Sequence, residues 1–121
     1  MSHFTKLETA NIVSKEHFIA ACRELGYKDI KEGGAIRGWN GRTEAMDVAV
    51  TVPNSQYDFG IKRSADGKKF DLIAEDFLDR AILGKVVQMT TKHTIIAQYR
   101  RQGFTARVTE KAGNLHVSLT R

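Results

Sequence analysis

The chain has 121 residues, of which 41% are hydrophobic and 27% charged, and a formal net charge of +5. This length suits one domain with a real core, and the composition excludes a disordered tail. A lone cysteine excludes an internal disulfide. No apolar run has membrane-spanning length and residues 1–6 lack a signal peptide's apolar stretch, so a cytosolic or stromal protein is expected.

Residues 3–9 alternate, with Phe4 and Lys6 on one side and Thr5 and Leu7 on the other, as in a half-buried strand. Ser14 then reads as a helix N-cap, with Val13 placed to pack on Phe18 as a hydrophobic staple. Phe18, Ala21, Cys22 and Leu25 recur at helical spacing and make one apolar stripe, and Gly26 supplies the left-handed stop. Beyond Tyr27 the period changes. Residues 35–39 and 45–52 read as strands around Asn40-Gly41, a dipeptide that favours a tight turn. Met46, Val48, Val50 and Val52 are expected to share a face, up to a break at Pro53-Asn54-Ser55. Residues 57–63 and 69–74 flank Ser64-Ala65-Asp66-Gly67, a further hairpin signal. Gly60 within its strand suggests a bulge or a close backbone approach.

Glu75, Asp76 and Asp79 open a segment with room for one helical turn. A second long helix is expected from about Gly84 to Gln102, stopped by Gly103. Its apolar arc holds Val86, Met89, His93, Ile96 and Ala97, with Arg100 among them; Lys85, Lys92 and Tyr99 flank that arc. Residues 104–108 and 115–119 alternate around Ala112-Gly113-Asn114, a final hairpin. The order β-α-β-β-β-β-α-β-β predicts an α+β domain over residues 1–121: a single twisted antiparallel sheet with two helices packed on one face. Leu25-Gly26-Tyr27 and Gln102-Gly103-Phe104 echo each other, as a duplicated helix-hairpin unit would, though glycine suits any helix-to-strand turn.

Several stretches are also similar, in order and spacing, to a known family. They are residues 1–5, Leu25-Gly26-Tyr27, Tyr57-Asp58-Phe59-Gly60-Ile61, Phe70-Asp71-Leu72-Ile73-Ala74, Gln102-Gly103-Phe104 and the closing strand from Leu115 to Arg121. Together they resemble the conserved hypothetical chloroplast reading frame 35 family, small proteins of plastid genomes, cyanobacteria and other bacteria. The resemblance implies an intracellular protein of undefined biochemical function and brings no catalytic residues with it. Between Asp76 and Thr94 the chain departs from the family, lacking its tryptophan-containing segment and tyrosine-rich helix.

Other candidate sites have simpler explanations. Asp58-Phe59-Gly60 matches a kinase triplet without the remaining kinase motifs. Gly33-Gly34, Gly38 and Gly41 lead into strands, whereas a phosphate cradle leads into a helix. His3, His17, His93 and His116 show no helical metal-site spacing, although two of them can still converge in space. Cys22 sits in a buried stripe as a small hydrophobe. Glu75, Asp76 and Asp79 fit a helix start, whose dipole favours acids. Trp39, near a hairpin tip, either plugs the sheet end or anchors a partner.

The charge pattern carries the functional expectation. From Arg80 to Thr109 there is no acidic residue, while Arg80, Lys85, Lys92, Arg100, Arg101 and Arg107 are all present. Arg100 and Arg101 also complement the negative end of the helix dipole. The expected function is a non-enzymatic binding or assembly module that presents this basic helix to an acidic protein partner. The second reading is an RNA-binding module using Lys85, Lys92, Tyr99, Arg100, Arg101 and Arg107 for phosphate contact and base stacking. The third is an enzyme whose site assembles from scattered histidines and the acidic group at 75–79. No metal, cofactor or membrane partner is expected, and an edge strand of a small open sheet is compatible with dimer formation.

Overall fold

Residues 4–121 are described by the structure, a computed structural model, together with the side chains of all of these except 8–10; His3, expected to begin the first strand, lies outside them. The chain runs β1 (Phe4–Ile12), α1 (Lys15–Glu24), β2 (Ile30–Glu32), β3 (Ala35–Arg37), β4 (Thr43–Ala45), β5 (Val48–Val50), β6 (Phe59–Arg63), β7 (Phe70–Glu75), α2 (Arg80–Arg101), β8 (Thr105–Lys111) and β9 (Asn114–Thr120). The fold is α+β, with its strands paired antiparallel. A five-stranded sheet has the order β1-β7-β6-β5-β2, while β3-β4 and β8-β9 form separate two-stranded ribbons.

Local chemistry sets the helix ends. The Ser14 hydroxyl accepts the His17 N–H at 3.2 Å, and Gly26 turns the chain away at φ +98° while the Tyr27 N–H bonds back to Cys22 O. Val13 remains 51% exposed, while Phe18 is fully buried and its ring meets Phe59 edge-on. The second helix starts at Arg80, a full turn before Gly84. Asp79 is its N-cap, accepting the Ala81 N–H at 3.0 Å.

Both helices cover the same sheet face. Phe18 and Cys22 of α1 and Leu83 and Val86 of α2 join Val48, Val50, Phe59, Ile61, Leu72 and Ala74 in the main core. The opposite face of the sheet is also covered. Ile36 of β3 and Met46, the residue after β4, pack with Ala49, Ile73 and Phe4 in a second cluster. Met46 thus lies across the sheet from Val48 and Val50, not on one face with them. The expected strand 45–52 breaks at Asp47, where the chain passes from ribbon to sheet. Gly60 makes this crossing fit, because a Cβ there would stand 2.5 Å from Val48 O and 2.7 Å from Met46 Cγ. The expected single sheet is therefore one five-stranded sheet with two ribbons, and the short β2 is added at its edge.

Two buried carboxylates fasten the β3-β4 ribbon. Asp58, 2% exposed, accepts from the Arg37 N–H, Nε and Nη2 at 2.9, 2.9 and 2.8 Å and from the Val52 N–H at 3.2 Å. Burial alone would raise its pKa, but these hydrogen bonds and the guanidinium charge outweigh burial and hold it below the ordinary carboxylate range. Glu75, fully buried, accepts the Trp39 N–H at 3.1 Å through Oε2, while its Oε1 has no partner among the described residues. Gly38 lets the turn lie on it, since a Cβ there would reach within 2.7 Å of Oε2.

Candidate functional site

The long α2 packs between α1 and the β8-β9 ribbon. The ribbon closes through a two-residue turn, with Ala112 at φ +52° and Gly113 at φ +81°, and its register places Lys111 opposite Asn114. Gln88 of α2 holds the tip, donating from Nε2 to Gly113 O at 3.1 Å. Alternation then puts Ala106, Val108, Leu115, Val117 and Leu119 on one face and Arg107, Thr109, His116 and Ser118 on the other. The apolar face turns toward α2.

Where helix and ribbon meet, a cleft of about 320 Å³ opens, with Leu25, Met89, Val108 and Leu115 among its apolar walls. Lys85, Lys92, Gln88 and Glu110 are its polar lining. Lys85 is exposed. The Lys92 Nζ sits 3.1 Å from Glu24 Oε2, and His93 Nε2 lies 3.0 Å from Glu24 Oε1. The hydrogen bond from Lys92, ahead of that from His93, keeps the Glu24 carboxyl below its usual range. One cleft lysine is therefore tethered to α1 and the other extends into water.

The remaining sequence candidates are dispersed. Tyr99 is half-buried, edge-on to Phe104 with ring centroids 6.2 Å apart. Arg100 and Arg101 are exposed in the last turn of α2, and Arg107 is exposed on the outer face of β8. Trp39, 44% exposed, sits at the tip of the β3-β4 ribbon, across the sheet from both helices. Among the described residues, the structure thus gathers Lys85 and Lys92 at one site and leaves the other five apart. Leu25, Met89, Val108 and Leu115 carry no site signal of their own in the sequence. The alternation of 104–108 and 115–119 marks an apolar ribbon face, but periodicity does not say which helix covers it.

The acidic and histidine groups take separate places. Glu75 points into the ribbon side of the sheet, Asp76 accepts from the Thr5 hydroxyl and pairs with Arg80, and Asp79 caps α2. His17 Nδ1 lies 3.2 Å from Thr94 Oγ1, while His93 is held by Glu24. Among the described residues no group of three or more His, Cys, Asp or Glu is placed to hold a metal ion, and no helix is long and apolar enough to cross a membrane.

A family model described as "Protein of unknown function (DUF1257)" matches residues 21–120, so the chain belongs to that family. No curated protein and no solved structure matches it.

Proposed function

We propose that this DUF1257 chain is a non-enzymatic binding or assembly module whose α2 docks an acidic segment of a protein partner. The carrying observation is the cleft itself: apolar walls from Leu25, Met89, Val108 and Leu115, with Lys85 and Lys92 beside them. Such a site suits a partner that inserts one apolar side chain and sets a flanking carboxylate against Lys85, since Lys92 is already paired with Glu24. About 320 Å³ is near the lower bound of small-molecule pockets, room for a side chain or two. Arg100, Arg101 and Arg107, exposed outside the cleft, add to the positive field that attracts such a partner to the molecule. Trp39 belongs to a different surface and is not part of this contact. The ordered motifs shared with the chloroplast reading frame 35 family support a place in that group, and with it a cytoplasmic or plastid-stromal setting.

The test is fluorescence anisotropy with a labelled peptide of alternating Glu and Leu, set against a labelled polyuridine strand. Peptide binding that weakens about tenfold in Lys85→Glu, or about 1.4 kcal/mol, supports the reading. Polyuridine binding with a salt slope near −0.7 per phosphate contact, and none of the peptide, replaces it with the RNA reading. Tyr99, the aromatic that base stacking would need, is engaged with Phe104, which favours the peptide.

A further inference from the structure

The outer edge of β9 is unpaired among the described strands, and nothing in its sequence protects it. Natural edge strands are blunted by charges, proline, bulges or shortness. Strand β8 carries Arg107, Glu110 and Lys111, yet β9 runs Asn-Leu-His-Val-Ser-Leu-Thr for seven residues without a formal charge, proline or register shift. Val117 and Leu119 stay 40% exposed on the face that α2 only partly covers.

The hydrogen-bonding phase of this edge follows from the turn. In a two-residue hairpin the flanking residues, here Lys111 and Asn114, form a hydrogen-bonded pair, and such pairs alternate along the ribbon. Asn114, His116, Ser118 and Thr120 therefore spend their peptide groups on β8. The N–H and C=O groups of Leu115, Val117 and Leu119 point outward.

We propose that β9 pairs with β9 of a second copy of this chain, antiparallel about a two-fold axis at Val117, to make a continuous four-stranded sheet. In that register Val117 faces its own counterpart and Leu115 faces Leu119, so each outward peptide group meets another outward one. About six inter-chain hydrogen bonds result. Leu115, Val117 and Leu119 of both copies fall on the same face, where they pack side by side across the new strand pair and extend the apolar surface beside α2. His116 pairs with Ser118 and Asn114 with Thr120, so no formally charged side chains oppose each other. In a chain of net charge +5 that neutrality matters, because two copies repel across most of their surfaces. A contact built mainly on two short strands is at the small end of specific interfaces, so the dimer should dissociate on dilution.

Sedimentation velocity of the full chain across a concentration series tests this. A monomer–dimer equilibrium in the native chain that becomes monomer in Val117→Lys, which sets two ammonium groups directly opposite each other, supports it. Circular dichroism checks that the variant folds. If it does not, isotope-filtered NMR on the native chain decides: an intermolecular contact between Leu115 and Leu119 methyl groups supports the pairing, because within one strand these residues lie about 13 Å apart. A native chain that stays monomeric, a dimer that persists in folded Val117→Lys, or a native dimer without that contact overturns the proposal. So does association only with the acidic peptide or another added partner through β9.

Discussion

Asp58 holds Arg37 by three hydrogen bonds, one from the backbone N–H and two from the guanidinium, all within 2.9 Å. A single carboxylate thus fixes both the main chain and the side chain of β3 at the end of the ribbon that covers the second sheet face. Asp58→Ala should destabilise the fold by about 3 kcal/mol, toward the lower end for breaking a buried pair, because Arg37 is half in water and rehydrates. Urea unfolding followed by circular dichroism measures it; a loss below about 1 kcal/mol would contradict the latch.

Acid should release the same latch. The folded Asp58 carboxyl lies below its ordinary value of 3.8, so as pH falls the unfolded chain binds this proton first. Its contribution is whole above 3.8 and disappears as pH falls through the folded-state value. Stability of Asp58→Asn should therefore vary less with pH in that acid window than that of the native chain, as read from paired thermal melts.

Glu75 presents the opposite case, a buried carboxylate with one oxygen unpartnered among the described residues. Glu75→Gln keeps the shape and the bond from the Trp39 N–H while removing the possibility of a buried charge. It should be neutral or stabilising by up to about 1 kcal/mol. Gly38→Ala, whose Cβ would lie 2.4 Å from Phe4 Cζ, should cost about 1–3 kcal/mol by overpacking. Equal losses in the two variants would contradict this assignment.

His17 couples the helices to pH. Its burial, then the charges of Arg101 and His93, lower its pKa from the ordinary 6.5. The unfolded chain is protonated first, so stability is whole above 6.5 and falls as pH drops below it. Thermal melts of His17→Gln, which can keep a hydrogen bond to Thr94, should lose part of this pH dependence; an unchanged profile would exclude the coupling.

Burial pushes the Cys22 thiol up to about 12. It should react with a disulfide reagent far more slowly in the folded chain than in denaturant, with the rate measured by absorbance. Equal rates would show that α1 opens readily.

Local signals in the sequence were good guides where the structure is local. Ser14 caps α1, Gly26 ends it, Asn40-Gly41 turns the ribbon and Gly60 marks a close backbone approach. The break at Asp47 was hidden because residues 45–52 alternate without interruption. Alternation tells which neighbours share a side only while the strand stays in one layer. Asp47 ends that continuity: its N–H bonds to Ile61 O and its carboxylate accepts the Arg63 N–H. The cleft was less legible still. Lys85 and Lys92 stood out by charge, but their apolar companions come from α1, α2, β8 and β9, and only the folded chain brings them together.

The C-terminal ribbon joins the molecule chiefly through one helix, whereas the central strands are sealed on both sides. Amide protons of β8 and β9 should therefore exchange with solvent through partial opening events that leave the centre intact. Docking and self-association at this end would then be registered as slowed exchange in a segment that costs the rest of the fold nothing to rearrange.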